Sequence, residues 1–249
     1  MVKRMAHITD LHLDEPFPIE FGVKAKENWG IVLNSLSEAH ITDVVFTGDI
    51  GTNESNKWFF DSFGSNINLR ITLGNHDLFT ETVKHYNTSL ADGQYELYHT
   101  HEDEFYKYIY LDSSQARLSE SQFSWFQREL LTNKKVVLFI HHPILETGTT
   151  PQKEYPLKGS EKIKNELIRF KNDVYIFCGH LHFNDVQKER NVTQWVTPAA
   201  CYQIKKHSKT TEADNLSFGY RIIQVTKDEL TTELIMFQPD KNKTISSKI

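Results

Sequence analysis

Two packed mixed β-sheets flanked by helices, an α/β architecture, are what the sequence predicts, and three observations predict it. Five short apolar runs each end in a polar cluster. Stripes of apolar residues at helical spacing lie between the runs. The last third of the chain holds further strand-like segments with few helical signals among them. Strand–helix alternation gives layered α/β domains. Runs of four to six residues rich in Val, Ile and Phe suit strands buried on both faces.

In chain order, Met5 to Thr9 leads to Asp10-Leu11-His12. A helix follows over Lys26 to His40, with Val32, Leu33, Leu36 and Ala39 on one face. Asp43 to Thr47 leads to Gly48-Asp49, and Leu69 to Leu73 leads to Gly74-Asn75-His76-Asp77. Residues 80–104 are uneven and give no clear period. Tyr106 to Asp112 alternates as a strand. Ser119 to Leu131 opens with Ser119-x-x-Gln122, a capping-box pattern, and would bury Phe123, Phe126 and Leu130. Lys135 to Ile140 leads to His141-His142-Pro143. Ser160 is placed to cap a helix carrying Ile163, Leu167 and Phe170. Asp173 to Cys178 leads to Gly179-His180-Leu181-His182. Gln194 to Pro198, Tyr202 to Lys205, Tyr220 to Thr226 and Leu230 to Phe237 read as a meander, the antiparallel part of a second sheet. Residues 1–239 form one expected domain, and the polar stretch 240–249 is expected to fray.

Composition narrows the function classes. The 249 residues are 39% apolar and 24% charged, which excludes an ordinary disordered chain. Acidic residues outnumber basic ones 33 to 28, for a net charge of −5, so nucleic acid is not an expected partner. Cys178 and Cys201 do not form a disulfide framework, and such usage suits a reducing compartment. No stretch approaches the ~20 apolar residues of a membrane helix, and the first seven residues lack the apolar core of a signal peptide. A soluble cytoplasmic protein with no membrane partner is expected.

The polar clusters carry the chemistry. Ligands in open α/β sheets gather beyond the carboxyl ends of strands, so Asp10, His12, Asp49, Asn75, His141, His180 and His182 should converge. Imidazole nitrogens mixed with oxygens suit Mn, Fe, Zn, Ni or Co better than the all-oxygen cages of Mg and Ca. Seven candidates are too many for one ion. A carboxylate can bridge two, and ions ~3.5–4 Å apart can clamp a phosphoryl group and activate a water. His76, next to Asn75, is placed to act as general acid at a leaving oxygen, with Asp77 orienting its ring. A helix-terminal carboxylate is the plainer reading of Asp77. No thiolate is needed, and Cys178 should point into its strand. His7, His40, His85, His99, His101 and His207 read as structural, Trp58, Phe59, Phe60 and Phe63 as core, and Lys205-Lys206 as a solvated face. Gly48, Gly74 and Gly179 read as turn residues.

With these residues in view, the sequence resembles the calcineurin-like metallophosphoesterase superfamily, whose pattern runs D-x-H, G-D, G-N-H-D/E, H and G-H-x-H. Every block is intact, in order, between residues 10 and 182. The resemblance implies a metallophosphoesterase-like β-sandwich with Asp10, His12 and His182 on a first metal, Asn75, His141 and His180 on a second, and Asp49 bridging. It places His76 beside the phosphate.

Within the superfamily the chain is most similar to the bacterial class III cyclic-nucleotide phosphodiesterases. Ile8-Thr9-Asp10-Leu11-His12-Leu13, Phe139-Ile140-His141-His142-Pro143 and Val196 to Lys205, followed by Gly219-Tyr220-Arg221, carry that similarity. Ile144 stands where those relatives usually continue with a second proline, and Ala199-Ala200 where they usually have Ser-Thr. The departures bear on substrate rather than on the metal site. The resemblance implies hydrolysis of a small phosphodiester, with a 3′,5′-cyclic nucleotide indicated, by attack of a metal-bridging hydroxide, and it is compatible with a homodimer. A phosphoprotein, nucleotide-sugar, lipid or nucleic-acid substrate is the alternative within enzymes. A non-catalytic metal-binding scaffold is the alternative outside them, although scaffold relatives typically lose ligands and this chain keeps all of them.

Overall fold

Strands with apolar side chains on both faces need a layer packed on each side, and that requirement shapes the molecule. The computed structural model describes residues 2–86, 95–238 and 243–248. The first half runs β1 (Lys3–Ile8), α1 (Pro16–Glu20), α2 (Ala25–Glu38), β2 (Asp43–Phe46), α3 (Ser55–Asp61), β3 (Asn68–Ile71), α4 (Phe79–Thr82), β4 (His99–Glu102), β5 (Tyr106–Leu111) and α5 (Glu120–Glu129). The second half runs β6 (Lys135–Ile140), α6 (Thr150–Glu154), α7 (Ser160–Arg169), β7 (Val174–Cys178), β8 (Asp185–Glu189), β9 (Val192–Val196), β10 (Gln203–Ile204), β11 (Ala213–Asp214), β12 (Phe218–Val225), β13 (Leu230–Gln238) and β14 (Lys243–Lys248).

Two six-stranded mixed sheets result. The first has the order β14-β13-β12-β1-β2-β3 and the second β4-β5-β6-β7-β9-β8. β1, β2 and β3 are mutually parallel, as are β5, β6, β7 and β9. The period-two alternation of strands sorts their side chains. Met5, Val45, Tyr108, Phe139, Phe177 and Ile223 meet between the sheets. On the outer face of the first sheet, Ala6, Ile8, Val44 and Phe46 pack with Trp29, Val32, Leu36 and Phe59 of α2 and α3. On the outer face of the second, Val136, Leu138, Ile140 and Ile176 pack with Phe126, Ile163 and Leu167 of α5 and α7. Each Val, Leu, Ile, Met or Phe among them stabilises the fold by roughly 1.5–3 kcal/mol on burial.

His7 is a fully buried polar residue of β1 in the inter-sheet layer. Its Nδ1 lies 2.7 Å from Thr197 Oγ1 and its Nε2 2.8 Å from Thr47 Oγ1, and the ring packs on Phe139 and Phe177. Burial pushes it down to about 3, so it is neutral, and its role is structural as expected. His99 and His101 stack flat on Tyr110 and Tyr108 across the β4–β5 pair.

Several local expectations change. Ser119 caps α5 by accepting from the Gln122 amide, but the Gln122 side chain does not close the box. It turns to Asp112, whose amide its Oε1 accepts and whose carbonyl its Nε2 meets. Ser160 is the first residue of α7 rather than its cap; Gly159, with φ +79°, holds that position. The meander divides: β12 to β14 complete the first sheet, whereas β9 joins the second in parallel with β7. The stretch expected to fray pairs instead over Lys243–Lys248 as β14, antiparallel to β13. Edge pairing needs backbone amides and carbonyls, which a polar sequence supplies as well as an apolar one. Trp58 is partly exposed rather than core, while Phe59 is fully buried.

Candidate metal centre

The polar clusters follow the carboxyl ends of β1, β2, β3, β6 and β7, and backbone bonds stitch them together. The Asp10 amide donates to Gly48, Thr72 to Phe46, Gly179 to His141, and Ala200 to Thr9. At five of the seven ligand candidates the chain enters the left-handed region: Asp10 (φ 57°), His12 (48°), Asp49 (59°), His180 (69°) and His182 (51°). Such residues cost on the order of 1–3 kcal/mol each, and they persist only where the surroundings fix them. The turns leave no room beside the carboxylates. A Cβ on Gly179 would lie 2.4 Å from Asp10 Oδ2, and one on Gly74 2.2 Å from Asp49 Oδ1. Gly74 and Gly179 have negative φ, so they serve close approach rather than the turn that the sequence suggested.

The side chains converge. His12 Nε2 lies 3.1 Å from His182 Nε2, and His141 Nε2 lies 3.2 Å from His180 Nδ1. Asp49 Oδ2 stands between the two sides, 3.2 Å from His141 Nε2 and 3.6 Å from His12 Nε2. Asp10 Oδ1 lies 3.3 Å from His182 Nε2, and 3.9 Å from both His12 Nε2 and His141 Nε2. Asp10, His12, Asp49, His141 and His182 are all buried. Asn75 and His76 are exposed on the loop after β3. Among the described residues Asn75 forms no hydrogen bond to the cluster, whereas the His76 amide donates to Asp49 Oδ1 at 2.9 Å.

The outer ring nitrogens decide what the inner ones can do. His12 Nδ1 faces Glu15 Oε2 at 2.9 Å, His141 Nδ1 faces the Thr47 carbonyl at 2.8 Å, and His182 Nδ1 faces the Tyr202 carbonyl at 3.0 Å. A carbonyl or carboxylate there requires an N–H, which leaves Nε2 as a lone pair in the neutral ring. His180 is reversed: its Nε2 faces the Tyr155 carbonyl at 3.0 Å, so Nδ1 points inward. Four nitrogen lone pairs and two carboxylates therefore aim at the same small space, an arrangement a cation fits and neutral packing does not.

Without an ion, a proton on His141 takes the place of that positive charge. Burial opposes the charge on Asp49, yet His141 and His12 hold its carboxyl well below the usual range. Burial likewise opposes the charge on His141, yet Asp49 and Asp10 raise it to about 9. Burial and the neighbouring His141 lower His180 to about 4.

Two residues that sequence reasoning did not select belong to the site. Glu15, three residues after His12, bonds both His12 and, at 3.1 Å, His76 Nδ1. Burial would raise its carboxyl, but these bonds bring it down to about 2. The same Glu15 contact is the main cause that raises His76 to about 9. Its only sequence signal is the spacing Asp10-x-His12-x-x-Glu15. Cys201 offers its sulfur within 4.8 Å of the His12 and His182 ligand atoms, but burial pushes the thiol well above its ordinary range. Cys178 is buried in β7, as expected.

Asp77 departs from the expected role. Its carboxylate does not orient the His76 ring; it accepts from the backbone amides of Asp49 (2.7 Å), Ile50 (3.0 Å) and Gly74 (2.9 Å). Asp77 thus clamps two ligand loops together, and Glu15 holds the His76 ring. His142 is also supporting: Ser113 Oγ lies 2.9 Å from its Nδ1, and its ring lies 4.1 Å from that of His180.

Comparison with known proteins points one way. The family model described as calcineurin-like phosphoesterase matches residues 3–184. The 3′,5′-cyclic adenosine monophosphate phosphodiesterase CpdA of Escherichia coli K12 is 28% identical, over 95% of this chain and 92% of its own. Purple acid phosphatase PPD1 of yellow lupin superposes with a TM-score of 0.69 at 12% identity, over 100% of this chain and 54% of its own. A dimetal phosphatase from Danio rerio gives 0.65 at 11% identity, over 98% of each chain. At those identities the two structures speak for the fold alone.

Proposed function

The chain belongs to the calcineurin-like phosphoesterases, metal-dependent hydrolases of phosphoric esters, and from that premise we propose that it cleaves a small phosphodiester at a two-ion centre, a 3′,5′-cyclic nucleotide being its substrate. The single observation that carries the two-ion reading is Asp49 Oδ2, shared between His12 on one side and His141 on the other. Asp10, His12 and His182 would hold one ion, and Asn75, His141 and His180 the second. Ions bound there would supply Lewis-acid charge to the phosphoryl oxygens and an activated water. The available metals are those that accept imidazole and carboxylate together: Mn, Fe, Zn, Ni or Co.

The chain's own groups do the rest. The Asp77 clamp fixes Asp49 and the loop of Asn75 and His76. Glu15 engages His76 Nδ1, which leaves Nε2 as the position from which a proton passes to the leaving oxygen. No Ser or Cys nucleophile is required, and both cysteines are buried and free, as suits the cytoplasmic setting proposed. No helix among the described residues is long and apolar enough to cross a membrane. The cyclic-nucleotide assignment draws on the similarity to CpdA over nearly the whole of both chains.

Side-by-side assays of bis(p-nitrophenyl) phosphate, p-nitrophenyl phosphate and cyclic AMP with Mn²⁺ test this reading. The diester and cyclic AMP should be hydrolysed faster than the monoester. A preference for the monoester would overturn it.

Glu15→Gln keeps an acceptor for His12 and His76 but removes the charge. The ion held by His12 should bind roughly 10–100-fold more weakly, as expected when the carboxylate behind a metal-ligating histidine is lost. Metal titration of stripped protein reads the change directly. Unaltered affinity at both sites would show that Glu15 does not support the centre.

A further inference from the structure

A groove of about 540 Å³ opens beside His76, lined by Glu15, Phe17, Asn53, Glu54, His76 and Leu78 among others. Its size is that of a small-ligand site. Two large apolar side chains stand in it unburied, Phe17 and Leu78, each 51% exposed. Phe17 is not loosely placed. It stacks on Phe21 and meets the Tyr202 ring edge-on at 5.5 Å, and Tyr202 lies 4.5 Å from the His182 ring. The apolar wall is thus continuous with the metal centre. Leu78 directly follows Asp77, whose carboxylate anchors that loop to Asp49.

The charged and titratable lining is one imidazole, His76, and two carboxylates. Among the described residues the groove has two carboxylates, Glu15 and Glu54, and neither Lys nor Arg. Glu15 is engaged by His12 and His76, whereas Glu54 is exposed and forms no hydrogen bond or ion pair among the described residues. An ionised carboxylate only accepts hydrogen bonds, so Glu54 favours a neutral group that presents N–H donors. Asn53 beside it can donate or accept.

We propose that this groove is the subsite for the leaving side of the substrate and takes an amino-bearing purine base. The base lies against Phe17 and Leu78, with its exocyclic amino group donating to Glu54 and a ring nitrogen accepting from Asn53. The assignment rests on the phosphodiesterase reading above and adds the source of base selectivity, which the metal centre itself cannot supply because it contacts only the phosphate.

Cyclic AMP and cyclic IMP test it, since they share shape and differ at position 6, amino against carbonyl. The wild-type chain should favour cyclic AMP in kcat/KM by roughly tenfold, the size of one hydrogen bond to a charged group. Glu54→Gln, whose amide can serve either base, should bring that ratio close to one. Phe17→Ala should raise KM for both nucleotides with a smaller change in kcat. Equal turnover of the two nucleotides by the wild type, or a ratio that Glu54→Gln leaves unchanged, overturns the subsite. Wild-type cleavage of bis(p-nitrophenyl) phosphate without turnover of either nucleotide also overturns it, while the metal-centre reading stands. Hydrolysis of none of the three overturns the phosphodiesterase reading and the subsite with it.

Discussion

Asp49→Asn lowers phosphodiester hydrolysis by about 10³-fold or more. The side chain is buried, and among the described residues its Oδ2 is the one carboxylate oxygen within 3.6 Å of both His12 and His141. An amide keeps the shape and the oxygen that receives the His76 amide, but it loses the negative charge that balances two cations. Lewis-acid stabilisation of a phosphoryl transition state is worth several kcal/mol, and about 4 kcal/mol corresponds to that factor. Steady-state rates at saturating Mn²⁺, with a melting curve to show that the fold survives, check the prediction. A loss below tenfold would mean that Asp49 is not shared between two ions.

His76→Ala lowers hydrolysis of cyclic AMP by about 10²–10⁴-fold, the range for loss of a positioned acid, and has little effect on bis(p-nitrophenyl) phosphate. A secondary alkoxide leaves poorly without a proton, whereas p-nitrophenolate leaves well without one. The ring is exposed at the mouth of the site and held through Nδ1 by Glu15, so its removal should not disturb packing. Equal losses on both substrates would assign His76 to electrostatic stabilisation instead of proton donation.

How far the sequence could be read depended on whether the signal was local. Runs such as Val136 to Ile140 identified buried strands because both faces of one strand had to be apolar. The end of each run located a ligand loop because metal-binding residue types have few other reasons to recur at strand termini. Those two facts sufficed to assemble His12, Asp49, His141, His180 and His182 in one place. Pairing between distant segments was less legible. The division of the late strands between two sheets depends on inter-strand registers that no local pattern records, and β14 pairs through a backbone that polar residues leave unchanged.

The role of Asp77 is illegible in sequence for a related reason. Adjacency to His76 suggested contact, but the turn sends the carboxylate back to the amides of Asp49 and Ile50. Glu15 gives no signal because a lone Glu ahead of a proline is unremarkable in sequence, and it becomes decisive only when β1 and β3 bring its loop against that of His76. The left-handed backbone at Asp10, His12, Asp49, His180 and His182 was likewise invisible, since none of these residue types demands it.

Counting ions and turnover together tests the two-ion centre most directly. Chelator-stripped protein is titrated with Mn²⁺ while bound metal and diester hydrolysis are followed in the same samples. The metal-free chain should be silent, hydrolysis should rise with the second ion and saturate at two ions per chain, and Asp49→Asn should fail to reach that stoichiometry. Full activity at one ion per chain, or hydrolysis that persists without metal, would contradict it.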